Sequence, residues 1–378
     1  MISRILEDKI KAHLKRKKII HIPGPRQVGK TTLLKTVSNY LPQPILWLNG
    51  DEADVRSMFI EPTSTQLKRI IGHHKTLIID EAQRIQNIGI VLKLIKDNLE
   101  DISIIVSGSS AFELASKINE PLTGRKIDLF LFPISFEEMV NHSSLLEEKR
   151  LLEDRLIYGS YPEVITNAGL EKNVLRGLTD AYLYKDIFAL EYIKKPALVE
   201  KLLQALALQL GNEVSFNELS KLVGADNQTV ELYINYLEQA YVVFKLSSFS
   251  RNHRNEIKKG KKIYFYDNGI RNGIIKNFAP FSLRQDKGAL WENYLIAERA
   301  KRNSYCNEWI NSYFWRTTSQ SEIDYVEEKD GKLFAYEFKW NAKKNPKMPK
   351  AFSHVYPDSN YEVINPKNYS DFILSDSL

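Results

Sequence analysis

The chain has 378 residues, 43% hydrophobic and 26% charged, so it is long enough for two or three domains that each bury a core. No stretch approaches ~18 consecutive apolar residues and the first residues lack a secretory apolar core, so we expect a cytoplasmic protein without a membrane span. The single cysteine, Cys306, excludes an internal disulfide and a cysteine-based zinc site, as suits a reducing compartment. A net charge of +6 is compatible with nucleic-acid binding but does not by itself indicate it.

The first motif of the chain is a complete G-x-x-x-x-G-K-[ST] phosphate-binding loop from Gly24 to Thr31. An apolar run precedes it as a predicted strand, and a helical pattern follows it. This order favours NTP binding because backbone N–H groups close around the phosphates and the helix N-terminus attracts negative charge. We expect Lys30 to reach the β- and γ-phosphates and the Thr31 hydroxyl to ligate magnesium. The predicted nucleotide-binding residues are Gly24, Pro25, Arg26, Gln27, Val28, Gly29, Lys30, Thr31 and Thr32.

Residues from about 19 to 136 alternate between strand and helix patterns, which indicates a parallel α/β sheet. Several of the strands are continuous apolar runs, as expected for strands covered on both faces. The predicted strands are Ile19–Ile22, Ile45–Leu48, Leu77–Asp80, Ile102–Ser107 and Ile127–Leu131.

The third predicted strand ends in two acids, Asp80 and Glu81, which is the Walker B pattern. Asp80 would hold magnesium through its water shell, and Glu81 would orient or deprotonate the attacking water. One predicted strand separates this motif from the phosphate-binding loop. That spacing is typical of the additional-strand class of P-loop ATPases, to which the AAA-plus proteins belong.

Two further positions are candidates for roles at the γ-phosphate. The next strand ends in Ser107-Gly108-Ser109-Ser110, where such ATPases place a polar sensor, and Ser109 is the preferred candidate. The same residues would also serve to turn the chain and cap a helix. Arg125 precedes the last strand of the domain, the usual place of an arginine finger donated to a neighbouring subunit, and a solvated surface arginine is the alternative.

The middle of the chain is helical from Ser135 to about Leu210 and then predicts a winged helix. The winged helix consists of a helix at Phe216–Leu222, a second helix from Asn227 to about Gln239, and a strand at Tyr241–Leu246. The second helix would enter the major groove of DNA, with a basic wing and the run Lys15–Lys18 contacting phosphates. Its candidate base contacts are Asn227, Gln228, Thr229, Glu231, Tyr233 and Asn235, and the wing cations are Arg251, Arg254, Lys258, Lys259, Lys261 and Lys262.

In combination, these motifs resemble one prokaryotic family of AAA-plus-type ATPases with a C-terminal domain of unknown function. The resemblance is carried by the phosphate-binding loop, Ile78-Ile79-Asp80-Glu81-Ala82-Gln83, Ser107–Ser110, Leu122–Arg125, Phe132–Glu138 and Gly159–Val164. It covers nearly the whole chain. It implies an ATPase core, a helical and winged-helix middle, and a restriction-endonuclease-like end.

The C-terminal third contains elements that resemble those of the PD-(D/E)xK nucleases: Glu292, Asp324 and the pair Glu337 and Lys339. Period-two alternation places Glu337 and Lys339 on one face of a strand, with aromatic residues on the other. The turn Glu328–Gly331 would form a hairpin that brings Asp324 beside this strand. Asp324, Glu337 and Glu292 would hold magnesium, and Lys339 would position water or stabilise charge on the phosphate.

The sequence therefore predicts an α/β P-loop NTPase of AAA-plus type, followed by a helical lid, a winged helix and a nuclease-like α/β domain. The predicted boundaries are 1–135, 136–210, 211–275 and 276–378. The expected cofactors are ATP and Mg²⁺. Two outputs remain open: control of DNA binding or cleavage, and signalling to protein partners with a silent nuclease-like site. A homo-oligomer is compatible with either output.

Overall fold

The structure is a computed structural model that describes residues 2–108, 122–183, 195–250 and 260–375. The chain divides into two compact units. The first contains Met1–Pro133 and Gln239–Tyr241, and the second contains Ile134–Glu238 and Val242–Leu378. The four-part division of the chain stays a prediction.

The first unit contains a five-stranded parallel sheet in the order β2-β3-β4-β1-β5. The strand β4 lies between the strand of the phosphate-binding loop, β1, and the Walker B strand, β3. The strand that separates the two motifs along the chain, β2, lies instead at the edge of the sheet beside β3. The strands are β1 (Ile19–Pro23), β2 (Ile45–Asn49), β3 (Thr76–Asp80), β4 (Ser103–Gly108) and β5 (Lys126–Asp128).

The strands β1 and β3 are buried along their whole length and β4 along all but its first residue, as expected for strands covered on both faces. The helices of the first unit are α1 (Leu6–Leu14), α2 (Lys30–Ser38), α3 (Ala53–Met58), α4 (Ser64–Ile71) and α5 (Ile88–Asn98). The fifth strand is shorter than predicted and ends at Asp128. The amides of Leu129 and Leu131 nevertheless donate hydrogen bonds of 2.8 Å to the carbonyl oxygens of His21 and Pro23, so this segment follows β1 to the loop.

The second unit begins with short helices and continues with the two helices predicted for a winged helix. Its helices are α6 (Phe136–His142), α7 (Leu145–Arg150), α8 (Leu152–Tyr158), α9 (Pro162–Thr166), α10 (Glu171–Gly177), α11 (Pro196–Leu208), α12 (Phe216–Val223), α13 (Asn227–Gln239), α14 (Asn268–Ile274), α15 (Lys287–Cys306), α16 (Lys350–Val355) and α17 (Tyr369–Ile373). A π-helical turn, Leu178–Leu183, follows α10.

A seven-stranded mixed sheet in the order β12-β11-β10-β9-β7-β8-β6 organises the second unit. Its strands are β6 (Glu213–Val214), β7 (Val243–Ser248), β8 (Lys261–Phe265), β9 (Asn311–Arg316), β10 (Glu322–Lys329), β11 (Lys332–Phe338) and β12 (Asn360–Ile364). Parallel pairing of β7 with β9 joins the strands predicted for the winged helix to those predicted for the nuclease-like domain. The two segments therefore share one continuous sheet.

The hairpin between β10 and β11 determines which side chains share a face at the C-terminal end. Asp330 and Gly331 form its two-residue turn with φ angles of 51° and 76°, the left-handed values that an Asp-Gly turn supplies. The antiparallel register pairs Tyr325 with Tyr336 and Val326 with Ala335. The alternation therefore places Asp324 and Glu337 together on the opposite face from the two tyrosines, as the sequence predicted.

Candidate functional site

The phosphate-binding loop leaves the end of β1 and enters α2, and two glycines determine its path. A Cβ atom on Gly24 would lie 2.2 Å from the carbonyl oxygen of Leu131, so only glycine allows this approach. Gly29 has a φ of 95°, a left-handed conformation that other residues rarely adopt. The backbone geometry of the loop therefore favours glycine at both positions.

Lys30 lies at the centre of this loop. Its side chain is buried, and its Nζ donates hydrogen bonds of 2.9 Å to the Gly24 carbonyl and 2.7 Å to the Pro25 carbonyl. A buried ammonium group inside a loop at a helix N-terminus favours a polyphosphate anion. Of the other loop residues, Pro25 and Val28 are buried, Arg26 is half-buried, and Gln27, Thr31 and Thr32 are exposed.

Thr31, Asp80 and Ser107 meet beside the loop from three different elements. The Thr31 hydroxyl donates a hydrogen bond of 2.6 Å to Oδ2 of Asp80. The Ser107 hydroxyl donates to the other carboxylate oxygen, Oδ1. A hydroxyl and a carboxylate are oxygen ligands of the kind that Mg²⁺ prefers, so these residues fit a magnesium ion next to the phosphates. The sequence prediction missed the contact of Ser107 with Asp80, although Ser107 lies near the end of β4, the strand beside β3.

Glu81 follows Asp80 in a left-handed conformation, with φ of 51°. Gly50 makes this turn possible, because a Cβ atom there would lie 2.3 Å from the Glu81 carbonyl oxygen. The side-chain amide Nε2 of Gln83 donates a hydrogen bond of 2.5 Å to Oε2 of Glu81. The half-exposed Glu81 carboxylate is therefore oriented by its neighbours. Sequence reasoning did not identify Gly50, and it named Gln83 only as part of the motif and not as a partner of Glu81.

Arg4 supports the phosphate-binding loop from the N-terminal segment. Its buried guanidinium donates a hydrogen bond of 2.7 Å to the Val28 carbonyl and one of 2.6 Å to the Phe132 carbonyl. This side chain fixes the loop against the segment that follows β5. No sequence signal indicated this role, because Arg4 stands 24 residues before Val28.

Arg125 lies at the start of β5, where its carbonyl accepts a hydrogen bond from the Ile19 amide at the start of β1. The phosphate-binding loop follows the opposite end of β1, so Arg125 is distant from the loop of its own chain. Its guanidinium contacts Asp97 through hydrogen bonds of 2.8 and 3.3 Å. The guanidinium also lowers the pKa of the Asp97 carboxyl. Ser109, the predicted sensor, and Ser110 lie outside the described residues.

The second unit brings Asp324, Glu337 and Lys339 together. Lys339 Nζ lies 2.5 Å from Oε1 of Glu337 and 3.7 Å from Oδ2 of Asp324. The Phe338 amide donates a hydrogen bond of 2.7 Å to the same Asp324 oxygen. Burial raises the pKa of Asp324, while burial and the Asp324 charge raise that of Glu337. Although burial acts in the opposite direction, the two carboxylates raise the pKa of Lys339.

Glu292 lies on α15 and binds residues of β8. Its Oε1 accepts hydrogen bonds of 3.1 Å from Lys262 Nζ and 2.5 Å from the Tyr264 hydroxyl. Lys262 also forms an ion pair of 2.5 Å with Glu322. Burial and the nearby charge of Asp324, opposed by Lys262, raise the pKa of Glu292 to about 7.

This arrangement corrects the prediction that Lys262 belongs to an exposed basic wing. Lys262 is 2% exposed and neutralises two carboxylates, so its ammonium group is not available to a phosphate backbone. The predicted wing cations Arg251, Arg254, Lys258 and Lys259 lie outside the described residues.

The three carboxylates predicted to bind magnesium at the C-terminal end do not form a ready metal centre. In the described ranges, no group of three or more His, Cys, Asp or Glu side chains is arranged to hold a metal ion. Ammonium groups contact these carboxylates instead: Lys339 lies against Glu337, and Lys262 against Glu292. A magnesium role for Glu292, Asp324 and Glu337 stays a prediction.

Fewer residues of α13 are exposed for contact with DNA bases than the sequence predicted. Tyr233 is only 4% exposed and belongs to the core, which corrects its assignment as a base contact. The Asn235 side chain accepts a hydrogen bond from Lys245, and the Thr229 hydroxyl donates one of 2.6 Å to Asp226. The residues of the predicted set that remain exposed are Asn227, Gln228 and Glu231.

Comparison with known families divides the chain into three matched regions. Residues 16–140 match the family model of an AAA domain. Residues 149–280 match a domain of unknown function (DUF8612), and residues 287–372 match another domain of unknown function (DUF4143). The AAA match covers the sheet and the loop described above. The first unit is therefore an AAA-type P-loop ATPase domain, a nucleotide-binding fold.

Several uncharacterized proteins are similar over most of the chain. A protein of Methanocaldococcus jannaschii is 23% identical over 395 residues, which cover 98% of this chain and 86% of that protein. A protein of Haemophilus influenzae is 24% identical over 280 residues, covering 67% of this chain and 68% of that protein. One of Mycobacterium tuberculosis is 24% identical over 337 residues, covering 88% and 72%. The similarity extends through the C-terminal unit without naming an activity for it.

Solved structures show only distant similarity. A Signal Transduction ATPase with Numerous Domains (STAND) protein from Pyrococcus horikoshii is 11% identical with a TM-score of 0.31, covering 80% of this chain and 46% of that chain. The Pif1 helicase from Bacteroides in complex with ADP-AlF3 and ssDNA is 13% identical with a TM-score of 0.27, covering 52% and 58%. The matched regions span about half of each solved chain, and no conclusion about activity follows from TM-scores this low. Across the described residues, no helix is both long and apolar enough to span a membrane.

Proposed function

We propose that the chain is a cytoplasmic, magnesium-dependent ATPase that acts as a molecular switch. The observation that carries the proposal is the meeting of Thr31 and Asp80 beside the buried ammonium group of Lys30. Two elements, α2 and β3, supply these side chains, and each side chain has the chemistry that its position in a P-loop ATPase requires. Magnesium, when bound, would supply positive charge that neutralises the charge developing on the phosphate oxygens.

In this proposal each side chain has one task. Lys30 exchanges its contacts with loop carbonyls for contacts with β- and γ-phosphate oxygens, which attract its charge more strongly. The Thr31 hydroxyl and the Asp80 carboxylate, which contact each other in the structure, would hold the cation. Glu81 accepts a proton from the attacking water, and Gln83 keeps the carboxylate oriented.

Two substitutions test this proposal in the full chain. Lys30→Ala should abolish binding of magnesium-ATP, and Glu81→Gln should bind ATP while turnover falls by about 10²- to 10⁴-fold. Lys35→Ala is a matched control, because Lys35 is an exposed lysine on the same helix. ATP turnover by Lys30→Ala at the wild-type rate would overturn the proposal.

The output of the switch has two candidates. Contact of Lys339 with both Asp324 and Glu337 favours DNA binding or metal-dependent cleavage, since two carboxylates and an ammonium group suit phosphodiester chemistry. The salt bridge between Lys262 and Glu292 favours the second candidate, a silent nuclease-like domain that binds protein partners. Fold similarity alone does not distinguish the two.

Incubation of DNA with Mg²⁺ or Mn²⁺, with and without ATP, separates these candidates. DNA cleavage that is lost in both Asp324→Ala and Lys339→Ala supports the first candidate. Cleavage that survives both substitutions would remove the site assignment. If the wild type neither retains nor cuts DNA, the second candidate is favoured.

A further inference from the structure

A lysine-rich loop, residues 341–350, follows β11 and leads to α16. Its four lysines are all exposed: Lys343, Lys344, Lys347 and Lys350. Within the described part of the chain, no ammonium group of these four lysines forms an ion pair or a hydrogen bond. Four uncompensated cations within ten residues create a local excess of positive charge that the net charge of +6 does not reveal.

The backbone of the lysine-rich loop is fixed by its own contacts. The carbonyl and side chain of Asn341 accept hydrogen bonds of 2.9 and 3.0 Å from the following amides. The Tyr361 hydroxyl donates one of 3.2 Å to the Pro346 carbonyl. Met348 packs against the hydrophobic cluster that contains Phe352. The lysines therefore extend from an ordered segment, which reduces the entropy lost when a ligand binds.

The lysine-rich loop also borders the cluster of Asp324, Glu337 and Lys339. It starts two residues after Lys339. Tyr361, which binds the loop, lies on β12, the strand that pairs with β11, and β11 carries Glu337. Burial and the charges of Glu337 and Asp324 raise the pKa of the Tyr361 phenol. A chain of phosphates lying on the loop would consequently pass beside these carboxylates.

Among the described cations of the predicted wing, Lys262 cannot supply this charge. Lys262 is buried in ion pairs with Glu292 and Glu322. The helix α13 contains no lysine or arginine. The lysine-rich loop is thus a source of exposed positive charge next to the predicted phosphodiester site.

We propose that the lysine-rich loop binds the phosphate backbone of nucleic acid and guides it to the cluster of Asp324, Glu337 and Lys339. The inference rests on the proposed DNA output, not on the ATPase reaction. From Lys344 to Lys350 an extended chain spans about 20 Å. Duplex DNA carries about one charge per 1.7 Å of its axis, so each ammonium group can reach a separate phosphate. The binding is independent of base sequence and depends on salt.

Fluorescence anisotropy with a labelled duplex of mixed sequence tests this assignment in the full chain, in EDTA and without nucleotide. The variant Lys343→Glu, Lys344→Glu, Lys347→Glu should bind at least about tenfold more weakly, with a salt slope smaller by about 2 to 3. The matched control changes Lys68, Lys172 and Lys201 to glutamate, three exposed lysines that lie outside the segments predicted to contact DNA. It changes the net charge equally and should retain binding. The three loop lysines changed to arginine should also bind DNA as the wild type does.

Several outcomes would overturn the assignment. Equal loss of affinity in the loop variant and in the matched control would show that net charge alone determines binding. Competition by polyglutamate as effective as competition by DNA would show a general polyanion surface. A wild type that hydrolyses ATP but does not bind DNA would remove this inference and leave the ATPase intact. Conversely, Lys30→Ala should bind DNA normally, and wild-type DNA binding without ATP turnover would remove only the ATPase proposal.

Discussion

The Thr31 hydroxyl donates a hydrogen bond of 2.6 Å to Oδ2 of Asp80, which links the first turn of α2 to the end of β3. The strand β4, which pairs with β3, contributes Ser107, and the Ser107 hydroxyl donates a hydrogen bond to the other oxygen of the same carboxylate. Both oxygens of Asp80 therefore have hydroxyl partners that hold the carboxylate at the edge of the sheet. An incoming cation meets ligands that are already oriented, which lowers the cost of assembling its coordination shell.

Substitution of Thr31 by valine tests this arrangement, because valine keeps the shape of the side chain and removes the hydroxyl. We expect the Mg²⁺-dependent gain in nucleotide affinity to fall by about 10- to 100-fold, while affinity in EDTA changes little. Titration of a fluorescent ATP analogue with and without Mg²⁺ measures both quantities.

The control for this experiment is Thr36→Val, because the Thr36 hydroxyl donates a hydrogen bond to the Thr32 carbonyl of the same helix and not to Asp80. It should leave both affinities unchanged. If Thr31→Val weakened binding equally with and without Mg²⁺, the hydroxyl would act on the phosphates or the fold rather than on the cation.

The close approach of Gly50 to Glu81 gives a second prediction. A Cβ atom at position 50 would lie 2.3 Å from the Glu81 carbonyl oxygen, so Gly50→Ala must displace the turn that holds the Glu81 carboxylate. A displacement of ~1 Å costs about a hundredfold in turnover. We expect kcat for ATP to fall by this factor while KM changes little.

Gly177→Ala is the matched control for Gly50→Ala, because no atom lies within 4 Å of an added Cβ there. It should keep the wild-type kcat. A proportional rise in KM for Gly50→Ala, with kcat intact, would contradict the positioning role of Gly50.

The P-loop site was predictable from sequence because its residues follow local spacing rules. Gly24 to Thr31 form a contiguous motif, and Asp80 ends a strand whose apolar run marks it as buried. A parallel sheet then brings the ends of neighbouring strands together without further information. Arg4 could not be predicted, since its contact with Val28 depends on where the N-terminal segment packs.

The C-terminal unit shows where local patterns stop being informative. Alternation along β11 correctly placed Glu337 and Lys339 on one face, and the Asp330-Gly331 turn correctly predicted the hairpin. The charge of Lys262 suggested an exposed wing, yet it is buried between two carboxylates that lie 30 and 60 residues further along the chain. The sequence shows that Lys262 is charged. Its partners, Glu292 and Glu322, follow only from the position of β8 in the folded sheet.

Glu292 gives a prediction for the pH dependence of stability. Burial raises its pKa from 4.5 to about 7, so the folded state holds a proton that the unfolded state releases. Its contribution to the free energy of unfolding is therefore present at low pH and decreases as pH rises from about 4.5 to about 7. Urea denaturation across this range should show that Glu292→Gln, which cannot ionise, has a flatter pH profile than the wild type.

Glu200→Gln serves as the comparison, because Glu200 is an exposed residue of α11. Its profile should follow that of the wild type. An unchanged slope in Glu292→Gln would show that the buried carboxylate stays ionised beside Lys262 throughout the range.

Arg125 allows a test of whether copies of the chain assemble and share a nucleotide site. It lies at the opposite end of β1 from the phosphate-binding loop, so it can act on a nucleotide only in a neighbouring copy of the chain. If it is an arginine finger, Arg125→Ala should reduce kcat about a thousandfold and leave ATP affinity unchanged.

The decisive measurement mixes Arg125→Ala with Lys30→Ala. Each variant supplies what the other lacks, so turnover should reappear in the mixture and increase with protein concentration. Asp97→Ala, which removes only the partner of Arg125, should retain activity. If the mixture stays inactive and Arg125→Ala alone turns over ATP normally, Arg125 is a surface residue whose role is its ion pair with Asp97.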